Sequence, residues 1–180
     1  MYKSIKEKMK NDVLAKMIDK FGYKNGMQVP TIKKVVINVG IGKFLKDQNA
    51  IDEIRNSLET ISGQKMVMTQ ARQSIAGFKI REGLAVGMKA TLRGSIMWDF
   101  LEKLVNVAIP RIRDFRGIKL SSIDNGGNMN IGIKEHLVFP EIVPEKIKNL
   151  TSFQVNITTN SKSREESLEL FKLLGFPMEK

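Results

Sequence analysis

The chain has 180 residues, no cysteine and a formal net charge of +11, with 42% hydrophobic and 27% charged residues. The missing cysteines exclude a disulfide framework, thiolate metal ligation and thiol catalysis. With no apolar run of about 18 residues, and with the charged opening MYKSIKEKMKNDVLAKMIDK in place of a signal peptide, a cytosolic protein is expected. Size and composition suit a single domain over residues 1–180. The charge is uneven. Residues 62–119 carry 11 basic and 4 acidic groups, and residues 120–180 carry 7 and 8. Such a basic region favours a polyanionic partner, either nucleic acid or an anionic membrane surface.

In chain order, Ser4 followed by Glu7 predicts a capping box, in which each side chain satisfies a free N–H at a helix start. Ile5, Met9, Val13, Met17 and Ile18 then recur at helical spacing until Gly22. The stretch T31-I-K-K-V-V-I-N-V39 is a strand with Val35, Ile37 and Val39 on one face and Asn38 on the other. The following G40-I-G-K43 lacks the residues of a phosphate loop: Ile37 and Phe44 stand where glycine and Ser/Thr are needed, and Leu45 breaks a dinucleotide fingerprint. It is expected to be a tight strand-to-helix connection. Asp47 can cap a second helix, with Ile51, Ile54, Leu58 and Ile61 as its apolar stripe and Gly63 as its end. Residues 70–84 are basic, glycine-punctuated and aperiodic, and are expected to form a long loop.

A second strand, A85-V-G-M-K-A-T-L-R93, places Val86, Met88, Ala90 and Leu92 opposite Lys89, Thr91 and Arg93. Ser95 can cap a helix carrying Met97, Phe100, Leu101, Leu104 and Val105 up to Pro110. Two further strands follow, with Met129, Ile131 and Ile133 opposing Asn128, Asn130 and Lys134, and Phe153, Val155 and Ile157 opposing Gln154, Asn156 and Thr158. Ser163 with Glu166 predicts another capping box, before Leu168, Phe171 and Leu174.

Two-faced strands want helices on their apolar side only, so the expected fold class is α+β: a two-layer, mainly antiparallel sheet with helices packed on one face. At the positions named, the polar face has Lys, Arg, Thr, Asn and Gln but no acid. It is either a solvated surface or a docking platform for phosphate, ribose hydroxyls and base edges. Enzyme signatures fail. His136 is the only histidine and is expected to be structural. Glu165 and Glu166 suit the first turn of a helix, and Asp99 and Glu102 suit a solvated helix face. No metal site, cofactor or small-molecule substrate is expected. A membrane-surface role would need a basic amphipathic helix with a free apolar stripe, and the stripe of the first helix is needed by the sheet.

In order, V35-V-I-N-V-G-I-G42, S62-G-Q-K65, the basic loop, K89-A-T-L-R-G94, I109-P-R-I-R-D-F-R-G-I118, H136-L-V-F-P-E-I142 and L173-L-G-F-P-M178 closely resemble the bacterial large-subunit ribosomal protein family that binds 5S ribosomal RNA, the fifth in large-subunit numbering. The resemblance spans essentially the whole chain. It implies a topology like that of the RNA-recognition motif and a cytoplasmic, ribosome-bound protein. It also implies that the protein holds 5S rRNA in the central protuberance, touches the peptidyl-site tRNA, meets neighbouring large-subunit proteins and rRNA, and helps bridge to a small-subunit head protein. The family's RNA-facing residues fall on Asn38, Gln64, Thr91 and Arg93, with Lys89 on the same alternating face. Its tRNA-contacting loop residues fall on Arg72, Lys79 and Arg81. Arg111, Arg113 and Arg116 resemble a bridge or RNA contact region, the alternative being pairing with Asp114 and the acidic C-terminal third. Gly77, Gly83 and Gly87 would let the backbone turn or approach a ligand, and Leu84 stands where the family commonly has proline after the second of them. With no aromatic on the polar face, recognition is expected to read a folded RNA by shape.

Overall fold

The computed structural model describes residues 4–45 and 47–179. The chain has an α+β fold, a five-stranded antiparallel sheet with helices packed on one side. The strands are β1 (Ile32–Gly40), β2 (Val67–Gln70), β3 (Ala85–Leu92), β4 (Met129–Ile133) and β5 (Phe153–Thr159), in the order β2-β3-β1-β5-β4. Among the helices, α1 (Ile5–Lys8) passes through a π-helical turn, Met9–Val13, into α2 (Leu14–Phe21). The others are α3 (Gln48–Ser62), α4 (Gly94–Lys103), which continues into a π-helical turn at Leu104–Ala108, and α5 (Arg164–Leu174). Contacts divide the chain into two compact units, with boundaries inside β1, β4 and β5.

The first unit comprises Met1–Val35, Arg93–Ile131 and Asn156–Lys180. Its N-terminal helix starts as its sequence dictates. Glu7 N–H donates to Ser4 Oγ at 3.2 Å, and Ser4 N–H donates to Glu7 Oε2 at 3.1 Å. Gly22 ends the helix in the left-handed conformation. The buried stripe Ile5, Met9, Val13 and Met17 brings α1 against α4, and α2 with its π turn against α5, where Lys20 Nζ pairs with Glu169 at 2.7 Å. Phe171 and Phe176 meet edge to face at 5.2 Å.

Two caps in this unit differ from expectation. Arg93 rather than Ser95 occupies the cap of α4 and makes no side-chain capping bond; Gly94, at φ +62, turns the chain out of β3 at once, so Ser95 already lies in the first turn. At α5, Ser163 Oγ accepts from Glu166 N–H, but Glu166 Oε2 accepts from Lys162 N–H at 3.0 Å, so the box is not reciprocal. Beside Glu166, burial followed by the nearby carboxylate pushes the Tyr23 hydroxyl up to about 12.

The second unit comprises Val36–Leu92 and Gly132–Val155. Asp47 caps α3, its carboxylate accepting from Ala50 N–H at 3.1 Å, and Gly63 closes the helix at φ +68. Ile51, Ile54, Leu58 and Ile61 are buried, as are Met88, Ala90 and Leu92, and α3 packs on β3. Phe139 and Phe153 lie 5.9 Å apart at a tilt. Burial works to raise the Glu53 carboxyl, but donors from Asn149 Nδ2 (2.9 Å) and Lys148 N (2.7 Å) outweigh it and hold it below the usual range. That carboxylate pins the 148–149 backbone to α3. His136 is buried with Nδ1 3.3 Å from the Thr151 carbonyl oxygen, and desolvation depresses its pKa against that contact.

β2 is a strand that the periodicity did not predict. It pairs antiparallel with β3, Val67 opposite Lys89 and Thr69 opposite Gly87. The segment beyond it is not an unstructured loop either. Ala71 N–H donates to the Leu84 carbonyl at 2.8 Å, Ile75 and Ile80 exchange bonds at 2.9 and 3.2 Å, and Glu82 N–H donates to Ser74 Oγ. The two strands therefore continue as an irregular hairpin, with a single 3-10 turn, Ala76–Phe78, at its tip.

Candidate nucleic-acid interface

Alternation in β1 and β3 buries Val35, Ile37, Val39, Met88, Ala90 and Leu92 and turns Asn38, Lys89 and Thr91 outward. Asn38 and Lys89 are exposed and Thr91 half-buried. Val86, expected on the apolar face, is only half-buried, while Gly87 is buried. Gly87 has a packing reason. A Cβ there would stand 2.8 Å from Thr69 Oγ1 and 2.9 Å from the Val39 carbonyl oxygen. The glycine thus serves close approach of β1 and β2 to β3 rather than a ligand. The Ile41 N–H to Val86 carbonyl bond (3.0 Å) ties the end of β1 to β3.

Gln64 is half-buried and held in place by Ser62. The serine hydroxyl donates to the Gln64 carbonyl at 3.0 Å, and Gln64 N–H donates to Ser62 Oγ at 3.2 Å. Arg93 follows β3 directly with extended backbone (φ −142, ψ 166) and an exposed side chain; it falls in the first unit, whereas Asn38, Gln64, Lys89 and Thr91 share the second. Two positions missed by the sequence reading lie on the same face through β2: Val67, 58% exposed, opposite Lys89, and Thr69 opposite Gly87. Only pairing reveals them, because four residues are too few for a legible period.

Lys134 and Gln154, in the second unit, are exposed, as is Asn130 in the first; Asn156 and Thr158 are half-buried. Asn128 is half-buried. Its Nδ2 donates to Asp124 Oδ2 at 2.9 Å and its Oδ1 accepts from Thr159 N–H at 3.2 Å, so it closes a turn. The Asn128 side chain first, and then the Asn128 and Gly126 backbone N–H groups, hold the Asp124 carboxyl below its usual range against burial.

On the β2–β3 hairpin, Arg72, Lys79 and Arg81 are all exposed. Lys79 adopts a left-handed backbone at φ +55, unusual for a residue other than glycine. Beside it Phe78 is 74% exposed. No aromatic was expected on the sheet face, but the hairpin tip carries one.

Arg111, Arg113 and Arg116 are exposed and make no ion pair among the described residues. Their loop turns at Asp114 (φ +54) and Gly117 (φ +110). It is anchored where Ile118 N–H donates to the Pro177 carbonyl (2.8 Å) and Glu179 N–H to the Ile118 carbonyl (2.9 Å).

A basic α+β chain whose strands turn neutral amides, hydroxyls and cations outward has the surface chemistry that favours a polyanionic partner. The particular family follows from comparison with known proteins. Residues 25–81 match the family described as ribosomal protein L5, and residues 85–178 match the C-terminus of the same ribosomal protein family. Large ribosomal subunit protein uL5 of Halothermothrix orenii is 50% identical over 171 residues, covering 95% of this chain and 96% of that protein. The uL5 proteins of Syntrophomonas wolfei (49%, covering 95% and 96%) and a Marinomonas species (46%, covering 98% of each chain) are similar throughout. The chain belongs to the ribosomal protein L5 family. That family is structural and non-enzymatic.

Proposed function

We propose that this chain is a cytoplasmic large-subunit ribosomal protein that holds 5S rRNA in the central protuberance through Asn38, Gln64, Lys89, Thr91 and Arg93. One observation carries the reading: Asn38, Lys89 and Thr91 all emerge from packed strands on the side away from buried Val39, Met88 and Ala90. Strand residues with buried neighbours on both sides lose little freedom on binding, so their donors are set in advance for a folded RNA. Amides and a hydroxyl suit ribose and base edges; Lys89 and Arg93 suit phosphate. The hairpin with Arg72, Lys79 and Arg81 reaches the peptidyl-site tRNA. The exposed arginines Arg111, Arg113 and Arg116 meet the small-subunit head protein or RNA, along with neighbouring large-subunit components. Family membership and the exposure of these arginine side chains support the assignments.

A gel-shift titration against 5S rRNA, with unrelated duplex RNA as competitor and repeated at several salt concentrations, tests the reading. Tight binding that survives the competitor is expected, with a log-affinity slope of about −0.7 to −0.9 per neutralised phosphate. Equal displacement by any duplex would reduce the surface to a non-specific basic face.

A further inference from the structure

Two glycines on the polar face have no evident reason in the fold to be glycine. Gly132 sits inside β4 and Gly40 ends β1. Neither has a positive φ, and a Cβ at either position would meet nothing within 4 Å. Glycine inside a strand gives up packing and adds chain entropy to be lost on folding, so a strand glycine often marks close approach by a ligand or another backbone. At Gly87 the approaching backbone is present; over Gly40 and Gly132 the space is open.

That space is an open groove of about 500 Å³, lined by Gly40 and Gly132 together with Asn38, Lys134, Ser152 and Gln154. All six residues are exposed and belong to the second unit. The side chains offer one cation, two amides, one hydroxyl and no carboxylate. So open a site cannot bury most of a small molecule, as cofactor pockets do. An extended polyanion fits it better.

We propose that this groove seats a ribose–phosphate segment of the bound RNA, which lies over the bare main chain of Gly40 and Gly132. Lys134 neutralises a phosphate, while Asn38, Ser152 and Gln154 bond to ribose hydroxyls or base edges. The inference rests on the 5S rRNA reading above. It extends the contact surface to Lys134, Ser152 and Gln154, across β1, β5 and β4, which are adjacent in the sheet.

The test is Gly132→Val in the full-length chain, measured by thermal unfolding and by 5S rRNA titration, with Lys134→Gln alongside. Valine suits a strand and its Cβ would meet nothing within 4 Å, so the melting temperature should stay level or rise, while affinity for 5S rRNA falls at least about tenfold, the cost of losing one good contact. Lys134→Gln should weaken binding severalfold and make the salt slope shallower by about one. This second variant keeps the proposal open to refutation if the valine disturbs folding. If wild type binds 5S rRNA and both variants bind equally well, the groove is not part of the site and this inference falls alone. If wild type does not bind, the functional reading falls with it. Unchanged RNA affinity with loss of a neighbouring ribosomal protein would assign the groove to a protein and overturn the proposal.

Discussion

The sheet face and the β2–β3 hairpin both present basic side chains, but on different supports. Asn38, Lys89 and Thr91 stand on strands whose intervening residues are buried. Between residues 71 and 84 no residue is buried, and the backbone bonds there join the two arms of the hairpin to each other. Few buried contacts mean low local stability and room to adapt. The sheet therefore suits a partner of fixed shape, and the hairpin one whose position varies. Where Lys79 holds a left-handed backbone beside exposed Phe78, strain and apolar exposure coincide at a tip, as is frequent at contact sites.

The most severe way to break this contrast is to spoil the sheet itself. Gly87→Val would drive a side chain into Thr69 and the Val39 carbonyl, and should destabilise the protein by about 3 kcal/mol in urea unfolding. A variant as stable as wild type would show that the strands yield and the platform is not rigid. Next comes Arg93→Ala, which should leave unfolding unchanged and weaken 5S rRNA binding by about 1–3 kcal/mol; an unaltered dissociation constant across several salt concentrations would remove Arg93 from the site.

The double change Lys79→Ala with Arg81→Ala sharpens the comparison from the other side. Affinity for isolated 5S rRNA should change less than about threefold, a cost below that of one good contact, while footprints of peptidyl-site tRNA in assembled ribosomes should alter. Collapse of 5S binding would mean that the hairpin serves the sheet's RNA. The smallest effect concerns His136, buried and depressed in the fold. The unfolded chain binds its proton more readily, so this contribution to stability is complete above about pH 6.5 and is lost as pH falls toward the depressed value. His136→Gln should flatten that part of the stability–pH curve.

Much of the fold could be read from local signals. The caps at Ser4 and Asp47, the glycine stops at Gly22 and Gly63, and the alternation of Met129, Ile131 and Ile133 all appear where spacing puts them. Ser95 misled because a serine one residue inside the helix cannot be told by sequence from one at its cap. For the site, alternation selected Asn38, Lys89 and Thr91, which the structure turns outward. It could not show that Asn128 is occupied by Asp124 and Thr159, since such bonds depend on residues brought together only by folding.

The sequence alone determined which side of β1, β3, β4 and β5 faces the core, because side chains alternate along an extended backbone and burial sorts them. The fold decided what stands beside what: that β2 joins the sheet at all, that Gly87 is crowded while Gly132 lies open, and that Asn38, Lys134 and Gln154 share one groove. Periodicity is a property of neighbours along the chain, whereas strand pairing joins residues far apart in it. No local pattern encodes that choice.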